Sequence, residues 1–166
     1  VWVAGTAAPS HREGTITTRY LELGGTTSPS LTLTRINTLG PAGVFRSASD
    51  AHPAGNGDEI GSFTPGVATL NVFGGGLYET GFNAGAPWGL VIGPAFNYTG
   101  IVNVAGSYGA LATYSRLHAI GSAPIKVGFG GSGTLNVNNG GICDAENDVI
   151  LAEVTGSLGT LKVGNT

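Results

Sequence analysis

Three groups of side chains have the types and spacing for chemistry. In "SDAHPAGNGDE" (49–59), Asp50, His52, Asp58 and Glu59 share one polar loop, a set that on paper supplies metal ligands or an acid/base pair. In "CDAENDV" (143–149), Asp144, Glu146 and Asp148 alternate, so on an extended segment their carboxylates face one way and offer hard oxygens to calcium. Glu22 and Glu59 hold matching places in two copies of a repeat, which predicts outward carboxylates roughly 5 to 7 Å apart, a separation that overlaps that of retaining glycosidases.

Each group also has a plainer reading, and that reading is preferred. An EF-hand starting at Asp144 needs Gly where Val149 stands and Glu where Thr155 stands, so the acidic run reads first as a solvated loop. A polysaccharide lyase needs clustered cations, whereas Arg12, Arg19, Arg35, Arg46, Arg116, Lys126 and Lys162 are dispersed. No GxSxG occurs, and His11, His52 and His118 have no nucleophile at a recognisable spacing. The glycine clusters "VFGGGLYETG" and "GFGGSG" match neither a phosphate loop nor a dinucleotide fingerprint. The expectation is therefore no catalytic residue and no cofactor, with Asp144, Glu146 and Asp148 kept as the metal candidates.

The elements that position these residues must come from an unusual composition. With 166 residues and 41% hydrophobic content, the chain can build one core, and residues 1–166 read as a single domain. Only 10% of residues are charged, against about 25% in ordinary soluble proteins, while 30 are glycine, so solubility must rest on Asn, Thr, Ser and Gly. A net charge of −3 with two lysines gives no basic stripe, which argues against nucleic acid or an anionic membrane surface as partner. No apolar run is long enough for a membrane-spanning helix. The single cysteine, Cys143, has no internal disulfide partner and reads as a small buried hydrophobe. The absence of methionine suggests a processed form or a fragment, and "NYT" (97–99) is a formal glycosylation acceptor.

A repeat organises the chain. Five stretches share the form apolar-x-apolar, glycine, a short link, then apolar-x-apolar: residues 21–33, 58–72, 90–104, 125–137 and 152–163. The anchors before the link are Leu23, Ile60, Ile92, Val127 and Val154, followed by Gly24, Gly61, Gly93, Gly128 and, out of pattern, Thr155. A glycine recurring there predicts a corner with positive φ or a close backbone approach. After the link, Leu31/Leu33, Leu70/Val72, Val102/Val104, Leu135/Val137 and Leu161/Val163 alternate with Thr32, Asn71, Asn103, Asn136 and Lys162, the period of a strand with one face buried. Before the corner, Glu22, Glu59, Val91, Lys126 and Glu153 take the outward place, and Asp58 breaks the inner pattern.

Third apolar segments at 76–80, 109–115 and 141–145 complete a coil of three strands. This predicts an all-β fold, a parallel β-helix of about five coils with little or no helix, in which Asn71, Asn103 and Asn136 stack into an outer ladder. A β-sandwich is the alternative, but its strands need not repeat one another's sequence. Residues 1–19 read as a cap or extra strand, 20–166 as repeat coils, and 34–58 as a long loop. Trp88, Phe96, Tyr98, Tyr108 and Tyr114 lie in links and turns, where they would pack coil edges or form a patch for sugars or a neighbouring subunit.

The motifs "GSGTLNVNNGG" and "GSLGTLKVG" resemble the G-x-G-T-L-x-V-x-x-G-G repeats of bacterial secreted passenger domains, as in autotransporters, over roughly residues 20–166. That resemblance implies a right-handed parallel β-helix exported to the cell surface or beyond, serving as stalk, adhesin scaffold or matrix component. It brings no catalytic residues. The resulting expectation is a secreted or surface structural protein that self-associates end to end or laterally, with a glycan or host-surface ligand as a further partner and no membrane insertion. A polysaccharide-active β-helix enzyme or a glycan-binding module is the alternative.

Overall fold

The computed structural model describes residues 2–3, 10–11, 15–24, 30–33, 43–48, 57–62, 66–81, 89–108, 113–122 and 124–164. They form strands and turns without a helix, and the strands come in coils of three. The first coil contains β1 (Trp2–Val3), β2 (Ser10–His11) and β3 (Thr15–Thr18). The second contains β4 (Glu22–Gly24), β5 (Ser30–Leu33) and β6 (Val44–Ser47), and the third β7 (Asp58–Ser62), β8 (Gly66–Phe73) and β9 (Leu77–Thr80). The fourth runs through β10 (Leu90–Ile92) and β11 (Tyr98–Ala105), then a small antiparallel pair, β12 (Ser107–Tyr108) with β13 (Thr113–Tyr114), then β14 (Arg116–Ala119). The fifth contains β15 (Ile125–Val127), β16 (Ser132–Asn138) and β17 (Ile142–Ala145), and a sixth begins with β18 (Val149–Leu151) and β19 (Leu158–Val163).

Each coil sends its strands to the same three sheets, and every pairing between coils is parallel. The first sheet has the order β1-β4-β7-β10-β15-β18, the second β2-β5-β8-β11-β16-β19 and the third β3-β6-β9-β14-β17. This is a parallel β-helix and not a sandwich. Register follows the repeat: Leu70, Val102, Leu135 and Leu161 align along the second sheet, as do Asn71, Asn103, Asn136 and Lys162 on its other face. Side chains one strand apart thus meet the same environment in successive coils, so like residues stack on like.

Of the two readings of residues 1–19, cap or extra strand, the described parts carry the second, with a strand in each of the three sheets. Three sequence expectations need correction. The segment 34–58 is not wholly a loop: the alternating run Val44–Ser47 is a third-sheet strand with Phe45 inward. In the fourth coil the third-sheet strand is Arg116–Ala119, whereas 109–115 includes one arm of the antiparallel pair. The last first-sheet strand is Val149–Leu151, so its anchor is Leu151 and not Val154, and the corner residue is Ala152 and not Thr155. The hydrogen-bond ladder decides this last point. Ala152 N–H donates to the Val127 carbonyl at 3.0 Å, as Gly128 N–H donates to that of Ile92 at 2.7 Å.

The corner explains the recurrent glycine. Gly61, Gly93 and Gly128 have φ of 92°, 71° and 74°, a region L-residues enter at a cost of roughly 1–2 kcal/mol. A Cβ at Gly61 would also lie 2.7 Å from the Thr99 carbonyl oxygen in the next coil, and Cβ atoms at Gly93 and Gly128 would collide with the backbone of Ser132 and Leu158. Ala152 takes the same conformation with φ 54°.

The core is a column of aliphatic side chains: Leu23, Ile60, Ile92 and Val127 from the first sheet, Leu31, Leu70, Val102 and Leu135 from the second. The third sheet adds Phe45, Tyr78 and Leu117, with the Phe45 and Tyr78 rings stacked at 5.6 Å between centroids. Inward residues of the sixth coil are less covered, Leu161 being 41% and Val163 75% exposed.

Candidate functional site

Charge gathers on the outer face of the third sheet. Alternation along β6, β9, β14 and β17 turns Phe45, Tyr78, Leu117 and Cys143 inward, which leaves Arg46, Glu79, His118 and Asp144 in register on the outside. Arg46 pairs with Glu79. Arg116 Nε donates to Asp144 Oδ2 at 2.7 Å. Between these pairs His118 lies with Nδ1 3.7 Å from Glu79 Oε1 and Nε2 3.2 Å from Glu146 Oε1. Glu146 also accepts the Gly121 N–H at 2.8 Å, and that bond, followed by the one from His118, holds its carboxyl below the ordinary range.

Chemically, this row is an imidazole bracketed by two carboxylates and flanked by two guanidinium groups. It can bind polar groups through the imidazole and the carboxylates. Its members neutralise one another across strands, and ion pairs this exposed contribute at most about 1 kcal/mol each. The dispersed cations of the sequence are therefore partly gathered: Arg46 and Arg116, 70 positions apart, share one sheet face. Only the coil register brings them there, so linear spacing could not reveal it.

A second polar group is sealed inside. Asp58, the residue that broke the inner pattern, opens β7 and is fully buried. Its Oδ1 accepts the Leu21 N–H at 2.7 Å and the Ser47 hydroxyl, and its Oδ2 accepts from Tyr78 Oη at 2.8 Å and Thr80 Oγ1 at 2.6 Å. Burial pushes the Asp58 carboxyl upward, outweighing the hydrogen bonds from Ser47, Thr80, the Leu21 N–H and Tyr78, each of which favours the anion. Burial and the Asp58 charge together push the Tyr78 phenol well above its ordinary range. The sequence carried a signal for this cluster. Where Asp58 gives way to Leu90 and Ile125 in later coils, the facing Ser47 and Thr80 give way to Ala119 and Ala145.

The other expected sites fall as follows. Asp50 and His52 lie outside the described residues, and the other two members of the loop group, Asp58 and Glu59, are buried. Glu22 and Glu59 pair in register, but they are 4% and 5% exposed and not solvated. Asp144 and Glu146 engage different partners, Asp148 is exposed, and among the described residues no group of three His, Cys, Asp or Glu could hold a metal ion. Glu153 pairs with Lys126 at 3.0 Å, beside a cation–π contact from Lys126 to Phe129.

Asn71, Asn103 and Asn136 form a hydrogen-bonded row on the second sheet, with Asn103 Nδ2 2.8 Å from Asn71 Oδ1 and Asn136 Nδ2 2.7 Å from Asn103 Oδ1. Phe96, 77% exposed, and half-buried Tyr98 stand at the first corner of the fourth coil, whereas Tyr108 and Tyr114 belong to the β12–β13 pair, and Trp88 lies outside the described residues. Burial and the neighbouring Asp144 charge raise the Cys143 thiol to about 11, so it is protonated at neutral pH.

No family model matches the chain, and neither curated proteins nor solved structures give a significant match.

Proposed function

We propose that this chain is a segment of a secreted or cell-surface structural β-solenoid, a stalk or fibre element whose product is the rod itself. The observation that carries this reading is the closure of the outer ladders on themselves. The Asn71, Asn103 and Asn136 amides bond along the rod axis, and the Arg46, Glu79, Arg116 and Asp144 charges pair between coils. The resemblance of the repeat to autotransporter passengers supports export.

Lateral association suits the rod. From β8 to β16 the outer face of the second sheet bears Thr69, Ile101, Thr134 and the Asn row with no charge, together with part-exposed Val67 and Phe73. Such a flat uncharged face suits contact with its own kind.

The test is sedimentation velocity with negative-stain microscopy over a concentration series. Rods that associate side by side, and that disperse when Thr69→Lys and Thr134→Lys put charge on the face, are the expected result. Uniform monomers at every concentration overturn the proposal of self-association.

A further inference from the structure

One junction between coils is built differently from those that follow it. Along the first sheet, the inward residue that opens β7, β10 and β15 donates its N–H to a carbonyl of the next coil: Asp58 to Gly89 at 2.9 Å, Leu90 to Pro124 at 3.1 Å and Ile125 to Asp148 at 3.0 Å. Leu21 holds the matching place in the second coil, one residue before β4, and its N–H is taken up by the Asp58 side chain, 2.7 Å from Oδ1. The carboxyl is thus inserted into the ladder between the second and third coils. Just beyond it the register slips, Leu23 pairing with Ile60 but Gly24 with Ser62.

The two carboxyl oxygens face different coils. Oδ1 reaches across the junction to Leu21 and the Ser47 hydroxyl of the second coil, whereas Oδ2 accepts from Tyr78 and Thr80 of its own coil. In later coils aliphatic side chains replace this cluster, Leu90 and Ile125 standing for Asp58, and Ala119 and Ala145 for Thr80. The charged and titratable groups on the elements around Asp58 are Tyr78, which donates to it, Glu22 and Glu59 on the outward side of β4 and β7, Arg46 and Glu79, paired with each other outside β6 and β9, and Arg19 and Tyr20 in the link before β4. β10 contributes none. The hydrogen bonds to the carboxyl all come from neutral groups, so no cation offsets the burial that raises it.

We propose that this junction is a pH-responsive clasp: with Asp58 protonated the second and third coils hold together, and with Asp58 ionised the rod opens there first. Coils of a solenoid contact only their neighbours, so the weakest junction decides where it opens. Opening at this one lets water reach the carboxylate, which relieves the cost of holding its charge inside. A carboxyl raised in the folded state contributes its full stability below the ordinary 3.8 and loses it as pH rises through the folded value, so the clasp is tightest in acid. The inference goes beyond the proposed rod function and holds whether or not rods associate.

Amide hydrogen exchange followed by NMR reads each junction separately. The Leu21 N–H, the Glu59 N–H bonded to the Leu21 carbonyl at 2.9 Å, and the Leu77 N–H bonded to that of Gly43 at 3.0 Å span the second and third coils. The Gly128 and Ile142 N–H groups, bonded to the Ile92 and Ser115 carbonyls, span the fourth and fifth. Exchange is measured from pH 4 to 8, at several urea concentrations below the unfolding transition, for wild type and Asp58→Asn, and the ratio of the two rates cancels the intrinsic pH dependence of exchange. The expected result has two parts. Leu21, Glu59 and Leu77 exchange with a shallower urea dependence than Gly128 and Ile142, the mark of a partial opening, and their wild-type-to-variant rate ratio rises with pH by up to about tenfold per unit until the carboxyl is ionised. A urea dependence as steep as that of Gly128 and Ile142 makes the opening global and overturns the proposal, as does a ratio that stays flat or falls with pH. The triple variant Ser47→Ala, Asp58→Leu, Thr80→Ala copies the aliphatic side chains of the later coils and serves as a second reference without the titrating group, and the same rise against it is required.

Discussion

Asp58 is a carboxylate placed where later coils have leucine, isoleucine or valine, and replacing it separates its charge from its hydrogen bonds. Asp58→Ala leaves the buried Leu21 N–H without its acceptor, at about 1–3 kcal/mol, and opens a small cavity while the Ser47, Tyr78 and Thr80 hydroxyls lose their common partner. A total loss of roughly 3–5 kcal/mol is expected. Asp58→Asn keeps an oxygen for Leu21 and Ser47 and presents its amide to the Tyr78 and Thr80 oxygens, so at pH 4 it should stay within about 1 kcal/mol of wild type. The pH dependence then isolates the charge. Because the folded carboxyl is raised above its ordinary 3.8, its contribution is fully present below that value and is lost as pH rises through the folded pKa. Between the two values wild type should lose ground to Asp58→Asn by up to about 1.4 kcal/mol per pH unit, and above the folded pKa the difference should be flat. Urea unfolding followed by circular dichroism from pH 4 to 9 measures this, and the Asn variant cancels the titration of all other groups. Wild type gaining on Asp58→Asn as pH rises, or Asp58→Ala matching Asp58→Asn, would refute the reasoning.

Three further outcomes are expected. Gly128→Ala should lower the urea midpoint by the equivalent of about 2–4 kcal/mol, since its Cβ adds a collision with the Leu158 backbone to the cost of positive φ, whereas Ala152→Gly should raise stability by about 0.5 kcal/mol. Asn103→Ala removes an acceptor from Asn136 and a donor from Asn71, and thermal unfolding should show a loss of about 1–2 kcal/mol, well above the effect of Asn138→Ala beside the row. Arg116→Ala should change stability by less than about 1 kcal/mol, an effect that shrinks further in high salt, because its pair with Asp144 is almost half exposed on both sides.

The amino-acid pattern by itself determined the class of fold and the register of the middle coils. Leu70, Val102 and Leu135, the asparagines beside them, and Gly61, Gly93 and Gly128 recur because each coil offers its residues the same surroundings, and that equivalence is visible in one dimension. The pattern failed where equivalence lapses. At the last corner Ala152 takes the positive φ in place of glycine, so the residue that marks the other corners is missing and Val154 took the place of Leu151. The short strands Val44–Ser47 and Arg116–Ala119 were hidden among links of uneven length.

Only the tertiary structure decided which polar residues meet. Asp58 finds Ser47, Tyr78 and Thr80, and His118 finds Glu79 and Glu146, because coils set side by side residues that lie 11 to 39 positions apart in the chain. Those separations vary with the length of each link, which lies outside the repeat. Burial was likewise decided there: Glu22 and Glu59 alternate like solvated residues, yet they are 4% and 5% exposed, which no local period reports.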